Sequence, residues 1–351
     1  MNIAIIGAGI IGLSTAVRLA DAGHAVTVFD PVPVSGATAH AGGMLAPAAE
    51  VVYGQELLFP IMKEAKELYP ELVELVAKYS NKETGFNSHG TIVVGADRAD
   101  TTHLHELYNY QVASGMTVEK LTVSAARSLE PALSTRLAGA VRCSDDWQVI
   151  PTMFAEALID TAHKLGVSFI AHKVYKTDKG VVTADKSYTF DQVIWAAGLD
   201  VPDLPLRPVY GEVVRVKVPD AMWPLTEHVV RAFVEDRPVY IIPRVDKTIA
   251  IGATSRENHQ EFPPVECVWQ LLRDANRVVP GIIDCGFLGV TTGARPGTPD
   301  DLPFLGRKDE HTVVSTGYFR HGILLAPFAA KHTLDIINGE DGPASCRLDR
   351  F

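Results

Sequence analysis

Several features that mark membrane proteins, disulfide-linked proteins and zinc proteins are missing from this sequence of 351 residues. A charge-free apolar run of about 18 residues, the length that crosses a bilayer, is absent, so we expect no membrane-spanning helix. The cysteines Cys143, Cys267, Cys285 and Cys346 are scattered and form no CxxC pair, which gives no support for a zinc site or a disulfide framework. Reduced thiols and the lack of a basic signal-peptide region predict a cytoplasmic protein that begins at Met1.

Positive charge is also in deficit, because 32 lysines and arginines stand against 42 acidic residues and give a formal net charge of −10. A surface of that sign repels a phosphate backbone, and no basic stripe interrupts it, so we expect no nucleic-acid substrate. The 47% of hydrophobic residues are enough for two domains or one large α/β unit. The sequence leaves the oligomeric state open, a homo-oligomer included.

The strongest local pattern lies at the N-terminus, where Asn2–Ile6 predicts a buried strand that is followed by a glycine-rich turn and a helix. Gly7 allows a tight turn, Gly9 lets a pyrophosphate approach the backbone, and Gly12 lets the helix pack closely on the strand. The pyrophosphate then lies at the helix N-terminus. Asp30 ends the second predicted strand, where an acid accepts the ribose hydroxyls. The pattern predicts dinucleotide binding but does not separate NAD from FAD.

A long segment of small residues, Ser35–Pro47, follows this unit. It has no helical or strand period, yet it is too apolar for an ordinary solvent-exposed loop. One interpretation is backbone that wraps closely around a large flat cofactor, and the alternative is a simple Gly/Ala-rich connection. A later predicted strand ends at Ala197-Gly198, where the absence of bulky side chains would also let a cofactor approach.

The rest of the chain combines both types of secondary structure. We predict helices at 57–79, 151–164 and 265–278, strands at 89–94, 168–174, 192–196 and 312–315, and consecutive β-rich runs at 212–218, 228–233, 239–243 and 248–252. The consecutive runs indicate a mainly antiparallel sheet, inserted as a second domain into the dinucleotide fold. Residues 293–303 are predicted as a rigid, turn-rich stretch, and a closing helix is predicted from Gly322 to about Ile337. Asp145-Asp146 is predicted as a turn with a solvated charge pair, since no further ligand stands at metal-binding spacing.

Seven motifs together resemble the D-amino acid oxidase superfamily of FAD enzymes, and within it the glycine oxidase branch, some of whose members feed thiamine thiazole synthesis. They are GAGIIG with Asp30, GATAHAGGMLAP, WAAG, RPVYGE, VYIIPR, GARPGTPDDLPFLG and GYFRHGILLAP. In this order the motifs span nearly the whole chain. Each is of low to moderate specificity, but their combination is specific.

The resemblance implies an α/β fold in which a Rossmann-like FAD-binding domain is interleaved with a substrate domain built on a mainly antiparallel sheet. It places the FAD-binding domain at residues 1–85, 146–205 and 288–351, and the substrate domain at 86–145 and 206–287. It also implies hydride transfer from the substrate α-carbon to flavin N5 and reoxidation by molecular oxygen, which gives hydrogen peroxide. The imine product would hydrolyse to an oxo acid, glyoxylate if the substrate is glycine.

The resemblance also assigns the site. Arg295, held between Gly293 and Pro296, would offer a rigid guanidinium fork to a substrate carboxylate, the alternative being a surface arginine. Tyr240 would add a hydroxyl unless it is an ordinary half-buried sheet tyrosine, and Arg320 would line the same pocket or neutralise charge near the flavin. Backbone N–H groups of residues 322–324 would face the flavin pyrimidine edge. The expected cofactor-binding residues are Gly7, Gly9, Ile10, Ile11, Gly12, Asp30, Ala37, Thr38, His40, Gly43, Met44, Val174, Ala197, Gly198, Gly293, His321, Gly322, Ile323 and Leu324, with no metal ligand.

Two departures from the family pattern leave alternatives open. The polar pair Thr254-Ser255 stands where an apolar pocket residue is expected, which leaves the substrate size open between glycine, sarcosine and D-amino acids. His40 stands where alanine is usual, and it either lines the cofactor loop or is covalently bonded to the flavin, as a similar histidine is in some relatives. The remaining rivals are an amine dehydrogenase, an FAD module that modifies tRNA, and a subunit that passes electrons to a partner.

Overall fold

The computed structural model describes residues 1–258, 260 and 262–351. Its strands are β1 (Asn2–Ile6), β2 (Ala25–Phe29), β3 (Met44–Leu45), β4 (Thr91–Gly95), β5 (Val118–Leu121), β6 (Gly139–Cys143), β7 (Trp147–Gln148), β8 (Ser168–Ile170), β9 (Tyr175–Thr177), β10 (Gly180–Val182), β11 (Ser187–Thr189), β12 (Gln192–Trp195), β13 (Arg207–Lys217), β14 (Val229–Val234), β15 (Arg237–Pro243), β16 (Thr248–Gly252), β17 (Gly286–Gly297), β18 (Phe304–Asp309) and β19 (Thr312–Thr316). Its α-helices are α1 (Ile10–Asp21), α2 (Ala37–His40), α3 (Leu58–Tyr79), α4 (Arg98–Ala113), α5 (Val123–Leu129), α6 (Pro151–Lys164), α7 (Val265–Val278) and α8 (Ala326–Ile337).

A six-stranded sheet in the order β18-β19-β12-β1-β2-β8 carries the N-terminal unit. Its strands are parallel except for β18, which is antiparallel to β19. Helix α1 packs against the sheet between α6 and α8, and its wholly buried Leu13 and Val17 join Ile5 and Ile194 in one apolar cluster. The three-stranded sheet β11-β10-β9 contributes Val181 to a second apolar cluster with strands β1, β2 and β12. The predicted βαβ opening is confirmed.

An eight-stranded sheet in the order β17-β13-β16-β15-β14-β4-β6-β5 forms the second part of the molecule. Every neighbouring pair is antiparallel except β14 and β4, which are parallel. Helix α7 packs against β13, β15 and β16. The predicted antiparallel sheet and the predicted α/β class are confirmed, whereas the domain boundaries near residues 85, 145, 205 and 287 stay a prediction.

The predicted turn-rich stretch at 293–303 is wrong in its first half. Residues up to Gly297 belong to β17, which pairs with β13 along its length. Proline lacks a backbone donor and normally interrupts a sheet, but β17 is an edge strand, where this loss costs little. Pro296 therefore lies opposite Pro208 inside the ladder, and a rigid strand instead of a turn carries Arg295.

The start of the closing helix is also corrected. Residues 322–325 form a turn in which the Leu325 N–H donates to the carbonyl of His321 at 2.8 Å, and α8 begins only at Ala326. Proline favours the first turn of a helix, which agrees with the position of Pro327. The predicted strand at 168–174 is likewise shorter and ends at Ile170. No helix in the described part of the chain has the length and apolar character needed to cross a bilayer.

Candidate active site

A cavity of about 930 Å³ lies between the two large sheets. One side is formed by the segments that follow the carboxyl ends of β1, β2, β12 and β19, and the other by side chains of the antiparallel sheet. The carboxyl ends of parallel strands are the usual place for ligands in open α/β sheets. The volume lies near the upper end of the roughly 300–1,000 Å³ of small-molecule and cofactor sites.

Gly7 and Gly12 have the steric surroundings that the sequence predicts. Gly7 has a φ of +107°, and a Cβ at this position would lie 2.5 Å from the Ala196 carbonyl oxygen. A Cβ on Gly12 would collide with the carbonyl of Gly7, so α1 packs here without a side chain between. Gly9 borders the cavity itself. The turn therefore presents bare backbone to the cavity at the N-terminus of α1.

Asp30 fixes the geometry of this turn. Its carboxylate accepts hydrogen bonds from the N–H of Ala8 at 2.7 Å and from the N–H of Val32 at 2.9 Å. The side chain is half-buried and borders the cavity at the end of β2. These contacts place the carboxylate beside the glycine turn, where the sequence predicts the adenosine ribose.

The small-residue segment closes against the same turn. The Thr38 hydroxyl accepts a hydrogen bond from the Ile10 N–H at 3.0 Å, so it occupies one of the free donors of the first turn of α1. Gly43 has a φ of +94°, and a Cβ there would collide with the carbonyl of Val149. This close backbone packing agrees with a segment that wraps the cavity.

His40 lies in the cavity wall behind β17. A Cβ on Gly293 would lie 2.5 Å from the Cβ of His40, which brings the imidazole close to the sheet. Burial and the neighbouring Arg215 lower the pKa of His40, so the ring is neutral at neutral pH. Within the described residues its buried Nδ1 has no hydrogen-bond partner.

Arg295 and Tyr240 lie on the side of the cavity that the antiparallel sheet forms. Arg295 faces Val209 across the β17–β13 ladder, and a Cβ on Gly211 would collide with its guanidinium, so the group lies directly over the backbone of β13. Its Nη1 donates to the carbonyl of Thr254 at 3.3 Å. Burial raises the pKa of the Tyr240 phenol, so this hydroxyl stays protonated and can donate a hydrogen bond. The fork and the hydroxyl both border the cavity.

The polar side chain of Thr254 belongs to a buried hydrogen-bond network. Its hydroxyl accepts a hydrogen bond from the Glu212 N–H at 2.8 Å and donates to the Glu212 carboxylate. The same carboxylate pairs with Arg256 at 2.7 Å. A wholly buried carboxylate needs such partners, which explains a threonine where an apolar pocket residue is expected.

A second charged group includes Glu50 and Arg231, which the sequence analysis missed. Glu50 lies 3.5 Å from Arg320, 3.7 Å from Arg231 and 3.9 Å from Nδ1 of His321. Burial lowers the pKa of His321 to about 4, so its ring is neutral. A signal for Arg231 is present in the sequence, because this arginine interrupts the otherwise apolar strand Val229–Val234.

The predicted solvated pair Asp145-Asp146 is wrong for its second member. Asp145 is exposed, whereas Asp146 is wholly buried and accepts the backbone N–H groups of Ala48 at 3.2 Å and Ala49 at 3.1 Å. Burial raises the pKa of Asp146 to about 7. The Asp146 carboxylate holds the backbone at residues 48 and 49, about 100 residues earlier in the chain, and no local sequence pattern indicates this contact.

The cavity brings together most of the residues that the sequence analysis selects. Its wall includes Gly7, Gly9, Ile10, Ile11, Asp30, Ala37, Thr38, His40, Gly43, Met44, Val174, Ala197, Gly198, Tyr240, Gly293, Arg295, Arg320, Gly322 and Ile323. Gly12, His321 and Leu324 are buried behind this wall. No group of three or more side chains among the described residues is arranged to hold a metal ion.

Comparison with known proteins identifies the family. The profile of a family described as FAD dependent oxidoreductase matches residues 2–336, almost the whole chain. The chain belongs to this family. FAD is therefore its cofactor, and the protein is an FAD-dependent oxidoreductase.

Individual relatives are about 30% identical to this FAD-dependent oxidoreductase over the aligned residues. The glycine oxidase of Geobacillus kaustophilus is 29% identical over 97% of this chain and 93% of the relative. The bifunctional protein ThiO/ThiG of Trichormus variabilis is 30% identical over 96% of this chain, but this chain spans only 52% of its length.

Solved structures of oxidases have the same fold as this chain. The crystal structure of glycine oxidase from Geobacillus kaustophilus has a TM-score of 0.90, with 28% identity over 99% of this chain and 98% of that chain. Iminodiacetate oxidase from Chelativorans sp. BNC1 has a TM-score of 0.85 over 99% of this chain and 98% of that chain, and at 22% identity it shows the shared fold alone.

The cavity suits FAD. Bare backbone at Gly7 and Gly9 faces it at the helix N-terminus, and side chains at Gly7, Gly12 and Gly43 would collide with neighbouring backbone. The cavity is lined by the parallel sheet on one side and by the antiparallel sheet on the other. It therefore has room for a long cofactor with a substrate beside it.

Proposed function

We propose that this FAD-dependent oxidoreductase catalyses the oxidative deamination of glycine or a similarly small amino acid. The observation that carries the proposal is the pairing of Arg295 and Tyr240 in the same cavity as the glycine turn. The two groups are close enough that each perturbs the pKa of the other. The names of the glycine oxidase relatives support the amino acid class.

Arg295 would hold the substrate carboxylate. Its planar guanidinium can form two parallel hydrogen bonds to a carboxylate, and the strand β17 keeps it in place. Tyr240, protonated at neutral pH, would donate a further hydrogen bond to the same group. Burial lowers the pKa of the Arg295 guanidinium, and a bound carboxylate would compensate for its lost hydration.

The glycine turn and α1 would bind the FAD pyrophosphate, and Asp30 the adenosine ribose. The backbone N–H groups of residues 322–324 would face the flavin, where they would stabilise negative charge. When held by these residues, FAD would supply the acceptor for the hydride of the substrate α-carbon, with oxygen as the final electron acceptor and hydrogen peroxide as the product. The imine would then hydrolyse to an oxo acid and ammonia.

We also propose that the FAD and the substrate are held by two different domains. Residues 1–85, 146–205 and 288–351 would hold FAD, and residues 86–145 and 206–287 would hold the substrate. Cavity-lining residues in both sets support it. A cytoplasmic location is also proposed, supported by four unpaired cysteines.

The test is a screen of the purified yellow protein against glycine, sarcosine and D-alanine, with peroxide and ammonia as readouts. We expect peroxide with at least one of the three. The proposal would be refuted if the protein oxidised an amine without a carboxylate but none of these three amino acids. Reduction of an artificial dye without peroxide would indicate a dehydrogenase, and yellow colour retained in acid-precipitated protein would indicate a covalent bond to His40.

A further inference from the structure

Three acidic side chains border the cavity, as far as the structure describes it: Asp30, Glu50 and Asp200. Asp30 is engaged by backbone N–H groups of the glycine turn and the residues after β2. Asp200 is exposed and lies 3.8 Å from Lys173. Glu50 is therefore the remaining carboxylate of the cavity wall, and its charge acts on both Arg295 and Tyr240.

The carboxylate of Glu50 is buried but not fully satisfied. Glu50 is only 7% exposed. Its nearest cations, Arg320 and Arg231, lie 3.5 and 3.7 Å away, beyond normal hydrogen-bond distance. Among the described contacts its oxygens accept no hydrogen bond, so they retain capacity for a donor in the cavity.

Three buried side chains fix the backbone just before Glu50. Asp146 accepts the N–H groups of residues 48 and 49, and Gln111 donates to the carbonyl of residue 48 at 2.8 Å. Arg231 donates to the carbonyl of residue 49. These side chains come from separate parts of the chain, and burying them is costly unless they are paired. They hold the Glu50 carboxylate at one place in the cavity wall.

We propose that Glu50 accepts the amino group of the substrate and is the residue by which the site distinguishes amino acids from simple carboxylates. This inference rests on the proposed function. An α-amino acid carries opposite charges on two groups bonded to the same carbon, and the cavity presents Arg295 for one and Glu50 for the other. Arg320 and Arg231 orient the Glu50 carboxylate and balance its charge.

The test compares glycine with acetate, a carboxylate that lacks an amino group, in Glu50→Gln. Loss of a hydrogen bond to a charged group should lower kcat/KM for glycine about 10- to 100-fold. The inhibition constant of acetate, measured as a competitor of glycine, should stay unchanged or fall, because a repulsive negative charge is removed. FAD content and the thermal midpoint report whether the variant folds.

Two further variants complete the test. Glu50→Asp keeps the charge but shortens its reach, so it should lower kcat/KM for glycine less than Glu50→Gln and leave acetate binding unchanged. Glu50→Asp also tests the inference if the Glu50→Gln variant does not fold. Asp145→Asn removes the same charge from the exposed surface beside Asp146 and should alter the binding of neither ligand.

Parallel weakening of glycine and acetate in the Glu50 variants would overturn the inference, since Glu50 would then only order the arginines. Glycine turnover by the wild-type enzyme would leave the proposed function standing in that case. A wild-type enzyme that oxidises no amino acid would instead refute the proposed function, and this inference with it.

Discussion

Replacing Arg295 by alanine removes the group that would hold the substrate carboxylate. The half-buried guanidinium lies over the backbone of Gly211, so a carboxylate bound to it would lose much of its own hydration. A desolvated charge left without its partner costs about 2–5 kcal/mol. At about 1.4 kcal/mol per factor of ten, kcat/KM for glycine should fall roughly 30-fold to a few thousand-fold.

The assay is steady-state peroxide production with glycine, with bound FAD measured by absorbance. FAD should stay bound in Arg295→Ala, since this arginine is assigned to the substrate. Arg295→Lys should recover only part of the activity, because an ammonium group does not reproduce the planar fork. Arg273→Ala, on the partly exposed face of α7, is the matched control and should behave like the wild type. Near-normal kcat/KM in Arg295→Ala would refute the assignment.

Three other predictions follow from the structure. Gly9→Asp should abolish FAD binding, because it places a carboxylate where the pyrophosphate is proposed; a variant with full flavin content would contradict this. Gly211→Ala should weaken glycine turnover without loss of FAD, since the new Cβ would collide with the guanidinium of Arg295; unchanged kinetics would argue against the geometry. His321 has a folded-state pKa of about 4 against 6.5 unfolded, so it destabilises the fold as the pH falls between these values, by up to about 3 kcal/mol. Chemical unfolding at neutral pH and near pH 4 should therefore show a smaller acid loss in His321→Asn, and an equal loss would contradict the buried neutral ring.

The parts of the fold predicted well are those governed by local sequence. The strand Asn2–Ile6, the glycine turn and α1 follow from short-range steric and periodic patterns, and α6 and α7 have the predicted limits. The strand β17 was missed because its glycines and proline indicate a turn locally. Its pairing with β13, in which the partners lie 69 to 90 residues apart in the chain, decides the outcome instead.

The candidate site likewise contains residues that the local sequence predicts and residues that it does not. Asp30 and Arg295 stand in recognisable motifs and do border the cavity. Glu50 and Asp146 were missed because what distinguishes them is burial, and burial depends on which segments the fold brings together. Charged residues inside apolar strands, of which Arg231 is an example, are the sequence signal most worth testing as site residues.

Glycine or a similarly small amino acid should reduce the bound FAD of this protein directly. Anaerobic addition of glycine, sarcosine or D-alanine to the purified yellow protein tests it with no coupled assay. We predict that the yellow flavin absorbance is lost with at least one of them and returns when oxygen is admitted, together with hydrogen peroxide. Flavin that stays oxidised with all three would contradict the claim.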